Sequence, residues 1–237
     1  MSDEDMTGDI RFGDYDQIGL YLLLQDSTRL VLTRENIEKV SAEYWANPDK
    51  IPPYVREAVQ FQRCSFCPAK KGGGFCDALR PILPLLDVVD KYVSYDEVVA
   101  IYKPDEKEIL HISHTTMSQG LRYVCILSLM NYCHSGRKYW KYYVGIIPIV
   151  GVTEFINRLY LNILWLHGGD KEKVDMAVSE FYEHVTKATR NQLARLRLIC
   201  KHDAFLNAFI SVQSISQILN LSKDSLLEES LHHFKKI

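Results

Sequence analysis

Near residue 116 the apolar residues change their spacing, and that change limits the architectures open to this chain. Before it, short apolar runs alternate with polar positions between clusters of turn residues, the pattern of half-buried strands. After it, Met117, Leu121, Val124, Cys125, Leu127, Leu129 and Met130 recur at helical spacing. A strand-like first half and a helical second half place the chain in the α+β class: N-terminal strands and hairpins with short helices, then a C-terminal helical bundle. The expected divisions are an acidic flexible tail at 1–16, an α+β region at 17–115 and a helical region at 116–237 packed with it as one unit.

Local signals fill in this outline. Leu20–Leu24 and Leu30–Leu32 flank Gln25-Asp26-Ser27, which predicts a hairpin. Thr33 can cap a short helix that ends before Asn47-Pro48, and Ile51-Pro52-Pro53 reads as an extended helix breaker. Residues 82–93 suggest a short helix interrupted by Pro84. Ser94–Tyr102 and Glu108–His114 form a second strand pair around Pro104–Lys107. Thr153, Asp170 and Asp203 are candidate caps for three later helices, and Ser225 with Glu228 suggests a capping box opening a separate last one. The stretch 144–166 carries Glu154, Asn157, Arg158 and Asn162, so a buried loop and core helix fit it better than a membrane span.

Composition narrows function mainly by exclusion. A net charge of −2 argues against a strongly basic nucleic-acid binder. The acidic, polar start MSDEDMTGDI lacks the basic-then-apolar order of a secretory signal, so the expected compartment is the reducing cytoplasm. There the six cysteines read as metal ligands or buried thiols rather than disulfides.

Three of those cysteines carry the strongest chemical signal. Cys64 and Cys67 have the C-x2-C spacing that brings two thiolates to one ion from a tight turn. Cys76 follows across Gly72-Gly73-Gly74, a run able to fold the chain back over an ion, and Pro68 stiffens the exit from Cys67. Cys133, at a helix end in the polar turn NYCHSGR, is the best fourth ligand, with adjacent His134 as the alternative. Arg63, Lys70, Lys71 and Arg80 flank the cluster and would offset an anionic thiolate–metal centre. A closed four-thiolate shell fits structural zinc, and an iron–sulfur cluster is the alternative because C-P pairs also occur in cluster motifs. The competing reading is a set of free or redox-sensing thiols. Cys125 and Cys200 read as ordinary buried thiols.

At these residues the chain resembles an uncharacterised bacterial family of unknown function. That family carries C-x2-C-P, a third cysteine, an S-Y-[DE]-x-V strand, T-x2-Q-G-L on a helix and a later single cysteine. Here these are Cys64–Pro68, Cys76, Ser94–Val98, Thr116–Leu121 and Cys133; Asp203–Ala208 is also similar. The resemblance supports Cys133 over His134 as fourth partner. It departs where the family tends to have Pro after the later cysteine and this chain has His134. It implies no known activity.

Other motifs are weaker. His111 and His114 fall on opposite faces of a regular strand and do not share an ion. The run GRKYWKYY interleaves Arg137, Lys138 and Lys141 with Trp140 and three tyrosines. It suits a protein interface or single-stranded nucleic acid, and most simply a segment with rings in the core and cations in water. KKGGG lacks the P-loop pattern, and no G-x-S-x-G, H-E-x-x-H or G-x-G-x-x-G occurs. The expectation is therefore a cytoplasmic metal-binding protein, leaning away from an enzyme. Its expected partner is another protein, with nucleic acid second and no membrane.

Overall fold

Asp26 and Ser27 close the first hairpin by the chemistry their types suggest. Asp26 Oδ1 accepts the Thr28 N–H at 2.9 Å, and Ser27 takes the left-handed conformation at φ 66°. The turn joins β1 (Gly19–Leu23) to β2 (Arg29–Thr33). The computed structural model describes residues 12–234 apart from 48, 50, 62, 63, 68–75 and 108. The second hairpin is β3 (Glu97–Lys103) with β4 (His111–Thr116). The hairpins join through their first strands into one antiparallel sheet of order β2-β1-β3-β4, with Tyr21 opposite both Val31 and Ile101.

Alternation gives the sheet two different faces. Leu20, Leu22, Leu30, Leu32, Val98 and Ala100 point into the main core. Tyr21, Val99 and Ile101 form a smaller cluster on the other face with Tyr15. Tyr15, expected in the solvated tail, is 3% exposed. It stacks edge-on against Tyr21, and Arg29 lies 4.6 and 4.8 Å over the two rings. Burying two aromatic rings outweighs the polarity of the flanking residues.

The helices are α1 (Arg34–Ala46), α2 (Pro53–Gln60), α3 (Leu86–Val89), α4 (Met117–Leu127), α5 (Val152–Leu166), α6 (Lys171–Leu196) and α7 (Ala204–Phe234). Thr33 caps α1 by accepting the Asn36 N–H, and Asp170 caps α6 by accepting the Lys173 N–H. Three boundaries differ from the sequence reading. Pro53 opens α2 instead of breaking the chain, because its fixed φ and missing N–H suit the first helical position. Gly151, not Thr153, precedes α5. α7 runs unbroken through Ser225, whose hydroxyl bonds back to the Ser222 carbonyl rather than starting a new helix.

α7 contains a stretch, Ala204–Leu226, long and apolar enough by length and composition to cross a membrane. Here Phe205, Phe209, Val212, Ile215 and Leu219 are buried in the common core, which α4, α5 and α6 share with the inner sheet face. Asp203 fastens this helix to the turn that leads into β3. Its carboxylate accepts the Ser94 N–H at 2.8 Å, the Ser94 hydroxyl at 2.9 Å and the Asn207 amide at 2.8 Å.

Candidate metal centre

The four predicted ligands sit on three segments remote in sequence. Cys64 and Cys67 sit in a turn closed by the Cys67 N–H donating to Cys64 O at 3.1 Å. Cys76 precedes a single turn of 3-10 helix, Asp77–Leu79. Cys133 ends a π-helical turn, Ser128–Tyr132, that extends α4. Two bonds hold the Cys76 and Cys133 segments side by side: Asp77 Oδ2 to His134 Nε2 at 2.6 Å, and the Ser128 hydroxyl donating to Ala78 O at 2.5 Å. The Cys133 turn closes on itself, with the Gly136 and Arg137 N–H groups donating to Cys133 O.

Helix α6 forms the back wall. Asn191 Nδ2 donates to Cys64 Sγ at 3.1 Å, and Gln192 Nε2 donates to Cys76 Sγ at 3.5 Å. Arg195, 1% exposed, donates through Nε to Phe61 O at 2.6 Å. Burial pushes the Cys64 thiol above its ordinary value, the Asn191 hydrogen bond and Arg195 oppose that, and charge on Cys76 or Cys133 reinforces it. Cys64 therefore lies within electrostatic reach of Cys76, Cys133 and the buried Arg195 guanidinium. Cys133 Sγ lies 3.4 Å from the Ser135 hydroxyl.

The four thiols do not form a metal shell in this arrangement. Among the described residues, no group of three or more His, Cys, Asp or Glu side chains is arranged to hold a metal ion. Pro68, Lys70, Lys71, the Gly72–Gly74 run and Arg63 lie outside the described residues. Arg80 is turned to Asp77 at 2.6 Å. His134 is held by Asp77, so the imidazole serves as a clamp between the Cys76 and Cys133 segments. Cys125 is fully buried in α4, and burial pushes its thiol well above the ordinary value.

Next to the thiols lies a cleft of ≈ 290 Å³ lined by Phe66, Ser135, Lys138, Tyr139 and His184, among others. His184 is 8% exposed, and among the described residues its Nε2 has no hydrogen-bond partner. Burial, with Lys138 nearby, pushes its pKa down to about 4, so the ring is neutral at pH 7.

The basic-aromatic run divides. It forms a 3-10 helix, Arg137–Tyr143, with Tyr139 and Tyr142 buried. Lys138 pairs with Glu180 beside the His184 cleft, Lys141 is exposed, and Arg137 with Trp140 lines a different cleft. His111 and His114 point to opposite faces of β4, as alternation requires.

Sequence reasoning missed Asn191, Gln192, Arg195, Asp77 and His184. For the α6 residues a signal was present. His184, Gln192 and Arg195 recur at helical spacing on the stripe that also carries Phe181, Val185, Ala188 and Leu196. Polar groups on a buried stripe need partners, and here two of the side-chain amides donate to sulfur.

No curated protein and no solved structure matches the chain. A family described as Domain of unknown function (DUF6901) matches residues 36–235, and the chain belongs to that family.

Proposed function

We propose that this is a non-catalytic metal-binding protein in which Cys64, Cys67, Cys76 and Cys133 hold one structural zinc ion, and that it acts by presenting a surface to a partner protein. The observation that carries the reading is the α6 wall: Asn191 and Gln192 aim amide donors at Cys64 and Cys76 sulfurs, with buried Arg195 beside Cys64. These donors and the cation work against the burial that holds the free Cys64 thiol above its ordinary value, and hydrogen bonds to ligating sulfurs tune and orient a metal shell. An all-thiolate zinc centre carries net negative charge, which Arg195 offsets. Binding would draw the four thiols into a tetrahedron and release their protons. A closed shell leaves no position for water, so the centre would be structural, tying the turns before β3 to the end of α4. Exposed Trp165 (87%), Leu221 (75%) and Met176 (65%) supply the kind of apolar surface that partner proteins cover.

Cobalt substitution tests the centre. Adding Co²⁺ to metal-stripped full-length protein should give sulfur-to-cobalt charge transfer and the intense visible bands of a tetrahedral site, and Cys133→Ser should alter both. Absence of those bands would overturn the proposal. A brown protein with broad visible absorption would replace zinc with an iron–sulfur cluster.

A further inference from the structure

Trp140 stands between two clefts on the side of the molecule where α4 meets the 3-10 helix. One, of ≈ 250 Å³, is walled by the rings of Tyr102, Tyr123, Tyr143 and Phe155 together with aliphatic side chains. The other, of ≈ 550 Å³, is lined by Arg34, Glu38, Tyr132 and Arg137. Met130, Asn131 and Trp140 line both, so the two are lobes of one depression. Together they fall within the roughly 300–1,000 Å³ of small-molecule sites.

We propose that this two-lobed cleft binds a small aromatic anion: a flat ring in the tyrosine-lined lobe against Trp140, with its phosphate or carboxylate at Arg137 in the other lobe. The first lobe suits a ring because its walls are rings. Tyr102 and Tyr123 meet edge to face, 6.3 Å between centroids, leaving aromatic faces and edges for offset or edge-on contact. Trp140 is 51% exposed and gains the most from a ring that covers it.

Charge decides the second lobe. Arg34 is neutralised by Glu38 at 2.9 Å. Among the described residues no carboxylate pairs with Arg137. Its Nε donates to Asn131 O at 2.9 Å, which steadies the guanidinium while its remaining N–H groups stay available for bidentate recognition. Tyr132 adds to the same wall a buried hydroxyl with no hydrogen-bond partner among the described residues. The lobe therefore offers one uncompensated cation and one unused polar group, which complement an anion.

The test uses full-length protein and calorimetric titration with nucleoside 5′-monophosphates, their uncharged nucleosides, indole-3-acetate and a short single-stranded oligonucleotide. At least one aromatic anion should bind saturably below about 1 mM, about tenfold more tightly than its uncharged counterpart. Nucleotide or indole-3-acetate preference assigns the anionic group as phosphate or carboxylate. Arg137→Gln should abolish the advantage of the anion while leaving the uncharged analogue unchanged. Trp140→Ala should weaken both by about tenfold with the circular dichroism spectrum retained. Three results would overturn the proposal: no saturable binding by any probe, binding indifferent to both substitutions, or an oligonucleotide binding more than about tenfold tighter than its own mononucleotide, which would make the cleft part of a strand-binding surface.

Discussion

Gly136 is where the Cys133 turn is tightest, and Gly136→Ala is the most telling single substitution. A Cβ there would lie 1.7 Å from Leu129 O and 2.9 Å from Leu129 C, whereas ordinary contact begins at 3.4 Å. The obstacle is backbone, so no rotamer change relieves it. The turn would have to open by about 1.7 Å, the shortfall between contact and clash. Opening it strains the Gly136 and Arg137 N–H bonds to Cys133 O, at 3.0 and 3.2 Å. Two such bonds are worth about 1 kcal/mol each, and overpacking adds roughly 1–3 kcal/mol. Alanine's restriction of the unfolded chain returns less than about 1 kcal/mol. The net loss is about 2–4 kcal/mol, a large share of the ~5–15 kcal/mol that domains possess. Urea denaturation measures it, with Gly13→Ala as control, since nothing lies within 4 Å of a Cβ there. The control should stay within about 0.5 kcal/mol of the parent. A Gly136→Ala protein as stable as the control would refute the packing described for this turn.

Further expectations concern charge and burial. His184 is neutral when folded, with its pKa pushed down to about 4 by burial, whereas the unfolded ring titrates near its ordinary value. Stability should therefore fall as pH drops from about 6.5 toward 4, by at most roughly 3 kcal/mol from this group. His184→Phe should flatten that slope in denaturation curves taken across the window, and an unchanged slope would contradict the assignment. Burial alone would raise the Asp203 pKa, but the hydrogen bonds from Ser94 bring it below the ordinary value. Its contribution is present at neutral pH and lost as pH falls through the folded pKa; Asp203→Ala should cost about 2–3 kcal/mol by urea melts at pH 7. Cys200, pushed up to about 12 chiefly by burial, should react slowly with iodoacetamide at pH 8, as read by mass spectrometry of the labelled peptide.

Much of this architecture was legible because its signals are local. Asp26-Ser27 and the Pro104–Lys107 segment mark the hairpins, Thr33 and Asp170 mark helix starts, and the spacing from Met117 marks α4. What is long-range was not legible. Nothing near Tyr21 announces that Ile101, eighty residues on, lies opposite it. Pro53 can end one segment or begin another, and only the burial of Val55, Ala58 and Val59 decides for the helix. Ser225 looked like a cap, but the apolar face of α7 carries the helix past it. For the candidate site, the spacing of Cys64, Cys67 and Cys76 pointed to a shared ion; Cys64 lies within electrostatic reach of Cys76 and Cys133, but among the described residues no three such side chains are arranged to hold a metal. Its backing by α6 depends on how a helix more than a hundred residues away packs, which residue spacing near the cysteines cannot show. The role of His134 was also set by a remote contact, since Asp77 is 57 residues away along the chain.

Metal content measured together with thiol titration on freshly purified full-length protein tests the central claim most directly. The account predicts about one zinc per chain, lost in a Cys133→Ser variant, with the four ligand thiols protected from a thiol reagent until a chelator is added. Metal-free protein in which Cys64, Cys67, Cys76 and Cys133 titrate freely under native conditions would contradict it.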